Sequence, residues 1–536
     1  GTLNGNGTGD CTNPAAGKCA SVDGTNCRGA GTGATQEADC PVNTFNVGSQ
    51  AMGTCTSVGA GKRAVDSSGN YDASGAVAEA LCPVGTWNAN GNGDCAVAAA
   101  GYVASTSSTA LQADSGATQE AICADGTFKA GAGAVSLFAE ILVNPSDLQS
   151  AGTYTGVTVT GGTSSQANGK VTVVVTGNSV SAVTVHTQGT NYQVGETLTI
   201  AHGDIGTSSG STNLTIKVSS IGTGGKLGAC TDVQNGYRGE DGSSAYANVG
   251  GNAGTGAITE APCAAGTWNA DGTNDCVAAV AGKCTSSNGS DCIGNNNTGA
   301  TSEEFPAAGK CSSLDGIVCS GNVTGADDEV VCPAGTYNGG NQVMHTCTDA
   351  AAGYVASTDA TKLQVNTGAT QQTICGDGTF KAGAGAVSLF AEITANPTDL
   401  TTAAGTYTGV TVTGGNNDGK VTVVTSGNTV TAVTVHTQGT GYAVDEIVTI
   451  THSDIGTSTG GTPTNLTIKV SSIGTGGALG ACTDVRPGYR GEDGSNAYAN
   501  VGGNAGTGAI TEAPCANGSY NADGTNDCLG VPSGYR

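Results

Sequence analysis

The chain has 536 residues, including 90 glycines and 21 cysteines, and only 11% of its residues are charged. Aromatic residues make up 4% of the chain, so the composition predicts small, disulfide-stabilised modules rather than one large hydrophobic core. The net charge of -25 argues against a nucleic-acid partner, since nucleic acid is itself an anion. The apolar runs are far shorter than the roughly 20 residues of a membrane-spanning helix.

The sequence contains two long, nearly identical copies and the start of a third. Residues 114–143 reappear almost unchanged at 366–395, and residues 236–263 reappear at 488–515. A shorter module recurs within each copy: a cysteine, two residues, G-T-aromatic-N, a Gly/Asn-rich stretch and a second cysteine. Without helical or strand periodicity, this stretch predicts loops and short hairpins. The module opens at Cys40, Cys82, Cys123, Cys263, Cys332, Cys375 and Cys515.

The two copies indicate how the cysteines pair. Cys40 and Cys55 are both missing from the second copy, whereas Cys311 and Cys319 occur only there. A bonded pair is expected to be gained or lost together, because a single loss would strand the partner. Pairing sequential neighbours throughout predicts ten disulfides: Cys19–Cys27, Cys40–Cys55, Cys82–Cys95, Cys123–Cys230, Cys263–Cys276, Cys284–Cys292, Cys311–Cys319, Cys332–Cys347, Cys375–Cys482 and Cys515–Cys528.

This scheme leaves Cys11 as the odd cysteine. Gly1 and Arg536 both fall inside a module, and domain boundaries do not normally split a disulfide loop. We therefore expect a longer repetitive polypeptide, or a bond between Cys11 and a neighbouring chain.

The openings C-P-V-G-T-W at Cys82 and C-P-A-G-T-Y at Cys332, with the later A-G-Y-V, carry a family resemblance. They resemble the cysteine-rich modules of tumour-necrosis-factor-receptor and ephrin-receptor ectodomains, and still more the repetitive surface antigens of ciliates and other protists. The resemblance implies an extracellular rod of stacked modules in which the first cysteine bonds to the second.

Two segments of different composition interrupt the modules. Between Cys123 and Cys230, and again between Cys375 and Cys482, cysteines are absent and Val/Thr-rich, strand-length runs alternate with Gly-Asn turns. Q-G-T-N-Y-Q-V-G-E-T-L-T-I is similar to β-repeats of fibre and adhesin proteins, which implies a display role. We predict a mainly β and irregular fold, with antiparallel β-sandwich or barrel domains at 131–226 and 383–478. Cysteine-rich modules occupy 1–130, 227–382 and 479–536.

No arrangement of residues in the sequence is typical of an active site, and we predict that the protein is not an enzyme. The repeated histidines His186, His202, His436 and His452 have no cysteines nearby to complete a metal site. We predict no cofactor. Calcium is the alternative, because several turns are rich in oxygen ligands, although the spacing of a calcium-binding loop is missing. These turns contain Asp271, Asn274 and Asp275 in the first copy, and Asp523, Asn526 and Asp527 in the second.

The cysteine content predicts an oxidising, extracellular or cell-surface location, and seven N-x-S/T sequons agree with it. Their asparagines are Asn6, Asn213, Asn288, Asn296, Asn322, Asn465 and Asn517. We therefore expect a structural subunit of a glycosylated filament, appendage or surface coat, whose partners are its own copies and covalent glycans. The alternative is an adhesin or receptor-like ectodomain that binds sugar or protein through the inserts.

Overall fold

The structure is a computed structural model, and the parts of the chain that it describes are residues 2–8, 10–28, 32–48, 54–135, 141–161, 168–206, 212–218, 220–223, 226–294, 296–320, 322–340, 346–360, 363–388, 393–400, 404–457 and 463–534. Gly1 and Arg536 lie outside the described residues. Two compact units are present: Gly1–Cys263 with Asn269–Cys276, and Ala264–Trp268 with Val277–Arg536. Among the described residues there are strands, irregular segments and three short 3-10 turns (His202–Asp204, His452–Asp454 and Thr475–Gly477), but no α-helix. The predicted mainly β, disulfide-rich fold is confirmed.

The modules consist of short antiparallel hairpins, as their Gly-rich, aperiodic sequence predicts. Before the first insert the strands are β1 (Lys18–Ser21), β2 (Gln36–Asp39), β3 (Thr44–Phe45), β4 (Thr56–Ser57), β5 (Lys62–Val65), β6 (Ala78–Leu81), β7 (Thr86–Trp87), β8 (Ala96–Val97), β9 (Tyr102–Ser105), β10 (Gln119–Ile122) and β11 (Thr127–Phe128). From β1 to β10 each odd-numbered strand pairs with the strand that follows it. Strand β11 instead pairs with β18 (Thr231–Asp232), beyond the insert.

The first insert forms one antiparallel sheet of six strands in the order β12-β17-β16-β13-β14-β15. The strands are β12 (Ile141–Val143), β13 (Gly152–Thr160), β14 (Lys170–Thr176), β15 (Ser179–Thr187), β16 (Thr197–Ile200) and β17 (Leu214–Lys217). The register of β13 on β14 shifts between Tyr154 and Val157, at a bulge where Gly156 has φ +70. Beyond it, Val159 and Thr160 pair with β16, so one bent strand joins both halves of the sheet.

Alternation of side chains gives this sheet its core. Val171, Val173 and Val175 of β14 face inward and pack with Leu198 and other buried aliphatic residues, while the intervening positions are less buried. The side-chain amide of Asn144 protects the edge strand β15: it accepts the N–H of Val180 (3.0 Å) and donates to its carbonyl (2.9 Å). Backbone groups at this point of the edge are thus unavailable to another strand.

After the first insert the modules resume. The strands are β19 (Tyr237–Glu240), β20 (Asn248–Val249), β21 (Asn252–Ala253), β22 (Thr259–Pro262), β23 (Thr267–Trp268), β24 (Val277–Ala278), β25 (Cys284–Ser286), β26 (Ser302–Glu304), β27 (Lys310–Ser313), β28 (Asp328–Val331), β29 (Thr336–Tyr337), β30 (Thr348–Asp349), β31 (Tyr354–Ser357), β32 (Gln371–Ile374) and β33 (Thr379–Phe380). Strand β33 pairs across the second insert with β40 (Thr483–Asp484), which repeats the pairing of β11 with β18.

The second insert repeats the first with small differences. Its strands are β34 (Ile393–Ala395), β35 (Gly405–Thr411), β36 (Lys420–Ser426), β37 (Thr429–Thr437), β38 (Ile447–Ile450) and β39 (Leu466–Lys469). They form two three-stranded sheets, β34-β39-β38 and β35-β36-β37, which a bridge between Thr413 and Thr449 connects. The chain continues with β41 (Tyr489–Glu492), β42 (Asn500–Val501), β43 (Asn504–Ala505), β44 (Thr511–Pro514), β45 (Ser519–Tyr520) and β46 (Leu529–Gly530).

Successive modules are joined by a repeated backbone contact. The aromatic residue that follows the module threonine forms a parallel bridge to the alanine of the next Gly-Ala pair, as between Phe45 and Ala76 or Trp87 and Ala117. Gly61, next to the second bridge, has φ +74, and a Cβ there would lie 2.3 Å from the carbonyl oxygen of Gly116. Glycine is therefore required where neighbouring modules meet.

Candidate functional site

A concavity of the first unit lies where the insert meets its module. We call it the first cleft, and its volume is about 880 Å³. It forms because β11 and β18 belong to one module hairpin that the insert interrupts, so that the base of the insert stands beside them. Phe128, Val194, Val218 and Val233 provide apolar lining, and Asp125, Lys217, Asp232, Gln234, Glu260 and Asp271 provide most of the polar lining.

Three of the four carboxylates in the first cleft hold loops in place. Asp125 accepts the Tyr246 hydroxyl (2.8 Å) and the backbone N–H of Asn274 (2.9 Å). Glu260 accepts the side-chain amide of Gln234 at 2.6 Å, and Asp271 accepts the hydroxyl of a neighbouring threonine at 2.6 Å.

The fourth carboxylate, Asp232, makes no side-chain hydrogen bond to another described residue. Its partial burial raises its pKa to about 6, because loss of hydration disfavours the charged form. The apolar lining residues give the first cleft a surface that can contact aliphatic groups.

The second unit has the same cleft in a narrower form. Its volume is about 320 Å³, and its lining includes the equivalents Phe380, Lys469, Val470, Asp484 and Glu512. Burial raises the pKa of Asp484 as well. The two clefts therefore share equivalent lining residues, and they differ in the side chains at their rims.

Two substitutions between the copies account for the narrowing. Asp445 stands where the first copy has Gly195, and it forms an ion pair with Lys469 at 2.9 Å. Arg486 stands where the first copy has Gln234, and it pairs with Glu512 at 2.5 Å while its guanidinium lies 4.2 Å from the ring centre of Tyr489. These longer, paired side chains occupy space that is open in the first cleft.

A buried glutamine in each copy fastens the insert to its module. Gln112, fully buried, donates its side-chain amide to the carbonyl of Val185 (3.0 Å) and accepts the N–H of Val135 (2.7 Å). Gln364 makes the same two bonds in the second copy, to Val435 and Val387. The sequence analysis missed both residues, although their recurrence at equivalent positions was a usable signal.

The inserts also change the residue that follows the module aromatic. Ordinary modules have a buried asparagine there, such as Asn88, whereas the two interrupted modules have Lys129 and Lys381. Lys129 donates to the backbone carbonyls of Ala99 (3.2 Å) and Gly131 (2.9 Å). Burial lowers the pKa of each lysine to about 8.

The structure contains ten disulfides, and each joins the two cysteines that the sequence analysis pairs. Cys11 is an exposed free cysteine. Neighbouring disulfides touch at two equivalent places, where Sγ of Cys27 lies 3.9 Å from Sγ of Cys55 and Sγ of Cys319 lies 3.5 Å from Sγ of Cys347. Because these sulfurs are all in disulfides, the two clusters offer no thiolate to a metal ion.

The seven sequon asparagines are all exposed: Asn6, Asn213, Asn288, Asn296, Asn322, Asn465 and Asn517. In the inserts, Oδ1 of Asn213 accepts the N–H of His202, and Oδ1 of Asn465 accepts the N–H of His452, both at 3.0 Å. Their side-chain nitrogens, the atoms that an N-linked sugar would occupy, make no hydrogen bond to a described residue. The geometry is therefore compatible with glycosylation at both positions.

The predicted histidine pairs have separate partners. Nε2 of the buried His202 lies 3.4 Å from a carboxylate oxygen of Asp147, and Nε2 of His452 lies 3.1 Å from one of Asp399. His186 and His436 each contact the hydroxyl of the next threonine through Nδ1, at 2.9 Å.

The acidic turns considered for calcium have internal roles. Asp275 forms an ion pair with Arg238 at 2.9 Å and accepts the N–H of Cys276 at 2.8 Å. Asp527 repeats the ion pair with Arg490 at 3.0 Å. Asp271 and its equivalent Asp523 each accept the hydroxyl of the threonine two residues later. Asn274 donates its backbone N–H to Asp125, and Asn526 donates its own to Asp377. These bonds fix the conformation of the turns.

Comparisons with protein-family models and with curated proteins find no match to this chain. Within the described residues, no helix has the length and apolar character needed to cross a bilayer.

Proposed function

We propose that this chain is a structural subunit of an extracellular filament, appendage or surface coat, and that it has no catalytic role. The proposal rests on the repetition of one backbone bridge between disulfide-closed modules. In both copies a module closed by a short disulfide, Cys82–Cys95 or Cys263–Cys276, bridges from its aromatic strand to the alanine of the next module. Such units can be added in series without changing the surface that each presents.

The mechanical role follows from the covalent closures. A chain under tension lengthens by opening loops, and a disulfide prevents the loop that it closes from opening. A disulfide that closes a loop of about 15 residues also destabilises the unfolded state by about 3 kcal/mol, because it restricts the conformations of the unfolded chain. The disulfides and the exposed sequons support an oxidising, extracellular setting and a glycosylated surface.

Electron microscopy of the oxidised protein at increasing concentration tests the proposal. We expect ordered filaments or sheets that form as the concentration rises. Particles that stay single and uniform at every concentration would contradict a role as a self-assembling subunit. For the glycans, enzymatic removal of N-linked sugars from native material should lower the mass of the peptides that contain Asn213 and Asn465.

The first cleft favours a second candidate, an adhesin or receptor-like ectodomain that binds sugar or protein beside the insert. Its open volume of about 880 Å³ lies in the range of small-molecule sites. Binding of a defined saccharide that is lost with Gly195→Asp would support this candidate.

A further inference from the structure

An exposed apolar loop distinguishes the second unit. The disulfide loop Cys311–Cys319, whose cysteines are separated by 8 positions, carries Leu314, Ile317 and Val318, whose exposed fractions are 49%, 78% and 58%. We call these three side chains the apolar tip. Large aliphatic side chains grouped on a surface loop are typical of an interaction site.

The loop holds the apolar tip in a fixed position. The disulfide closes the loop, and Asp315 accepts the backbone N–H groups of Ile317 (2.9 Å) and Val318 (3.0 Å). Little conformational entropy is therefore left to lose when the apolar tip binds a partner.

Two equivalent loops show that the apolar side chains are not needed for this conformation. In the loop Cys19–Cys27, Asp23 accepts two backbone N–H groups at 2.8 Å, and in the loop Cys284–Cys292, Asn288 accepts two at 2.9 and 3.0 Å. The first of these loops has one valine, Val22, and the second has only polar residues between its cysteines. The same frame thus forms around a polar tip.

The apolar tip and the first cleft are complementary. Beside its polar residues, the lining of the first cleft includes Phe128 and three valines, one of them the exposed Val194, and the cleft is large enough to hold branched aliphatic side chains. The ion-paired second cleft, at about 320 Å³, offers much less room. The halves are nearly duplicated, yet the apolar tip occurs in one unit and the open cleft in the other.

We propose that the apolar tip of one copy inserts into the first cleft of a second copy. The proposal rests on the proposed function as a self-assembling subunit and names the contact that propagates it. Because each copy carries both complementary surfaces, the contact is head-to-tail and can repeat.

Two variants taken from the chain's own repeats test this contact. The tip variant, Leu314→Ser with Ile317→Ser and Val318→Asp, gives this loop the polar residues of the loop Cys284–Cys292. The cleft variant, Gly195→Asp with Gln234→Arg, reproduces the rim of the second cleft, where Asp445 already adopts φ 69, close to the φ of Gly195 at +82. Val22→Ser serves as the control, and disulfide mapping verifies the fold of every variant.

Sedimentation velocity over a concentration series provides the measurement. We expect wild type and Val22→Ser to associate progressively, and each of the two designed variants to remain monomeric. An equimolar mixture of the tip and cleft variants should form a 1:1 complex and nothing larger, because one copy supplies an intact apolar tip and the other an intact first cleft.

Three results would overturn the inference, and they separate it from the proposed function. If the tip variant assembles as well as wild type, the apolar tip does not form the contact between copies, although the proposed function as a structural subunit still stands. Monomeric single variants whose mixture fails to form a complex would assign the apolar tip another partner, such as phosphatidylcholine vesicles, which flotation would detect. Absence of association in wild type itself would contradict both the inference and the proposed function.

Discussion

The two clefts show how one framework acquires different surfaces. In both copies the insert interrupts a module hairpin, one disulfide spanning 107 residues closes it, and a buried glutamine fastens it. The rims differ: Gly195 and Gln234 leave the first cleft open, whereas Asp445 and Arg486 form ion pairs at the second. The framework is conserved within the molecule because covalent and buried contacts fix it, while exposed rim residues change at little cost to the fold.

The largest expected effect tests whether the framework is equivalent in both copies. Replacing Cys123 and Cys230 by alanine opens a loop of 107 residues and should destabilise the first insert by about 4 to 5 kcal/mol in the chain-entropy model. The matching change at Cys375 and Cys482 should have the same effect on the second insert. Hydrogen exchange of insert peptides measures both, since it resolves local opening in a chain with several units.

The pair Cys82 and Cys95 provides the control, because it closes a loop of only 13 residues and should contribute about 3 kcal/mol. Unequal losses in the two inserts would show that their frameworks are not equivalent.

These disulfides also mark what the sequence could predict. Joint gain or loss between copies identifies partners such as Cys40 and Cys55, because a covalent bond couples two positions one to one. The clefts could not be predicted in this way. Gly195 and Gln234 lie 39 positions apart and line the same cleft only in the folded chain, so their shared effect on a cavity leaves no pattern in the sequence.

The next effect concerns the buried glutamines. Gln112→Ala should cost about 1 to 3 kcal/mol for each backbone group that it leaves buried without a partner, here the carbonyl of Val185 and the N–H of Val135. Gln364→Ala should act alike on the second insert. Protection of the backbone amide from hydrogen exchange should fall at Val135 in the first variant and at Val387 in the second. Unchanged protection at both would show that the glutamines do not hold the inserts in place.

A pH-dependent effect is expected from Lys129 and Lys381. Burial lowers their pKa from 10.5 to about 8, so the folded state releases its protons at lower pH than the unfolded state. Stability should therefore rise as the pH increases from about 8 towards 10.5. The double variant Lys129→Met with Lys381→Met should lose this rise in thermal unfolding experiments, with Cys11 alkylated beforehand to prevent disulfide exchange. An unaltered pH profile would contradict the burial of charge at these positions.

The smallest expected effect concerns the rim of the second cleft. Asp445→Gly with Arg486→Gln should change stability by about 1 kcal/mol or less, because exposed ion pairs contribute little. The same change should widen the second cleft towards the dimensions of the first. A crystal structure of this variant would show the widening, and a cleft that stayed narrow would assign the difference to the backbone.

Electron microscopy of the oxidised protein across a concentration series tests whether this chain is a structural subunit that assembles with its own copies. We expect ordered assemblies whose repeat is one copy of the chain. Single particles of uniform size at every concentration would contradict it.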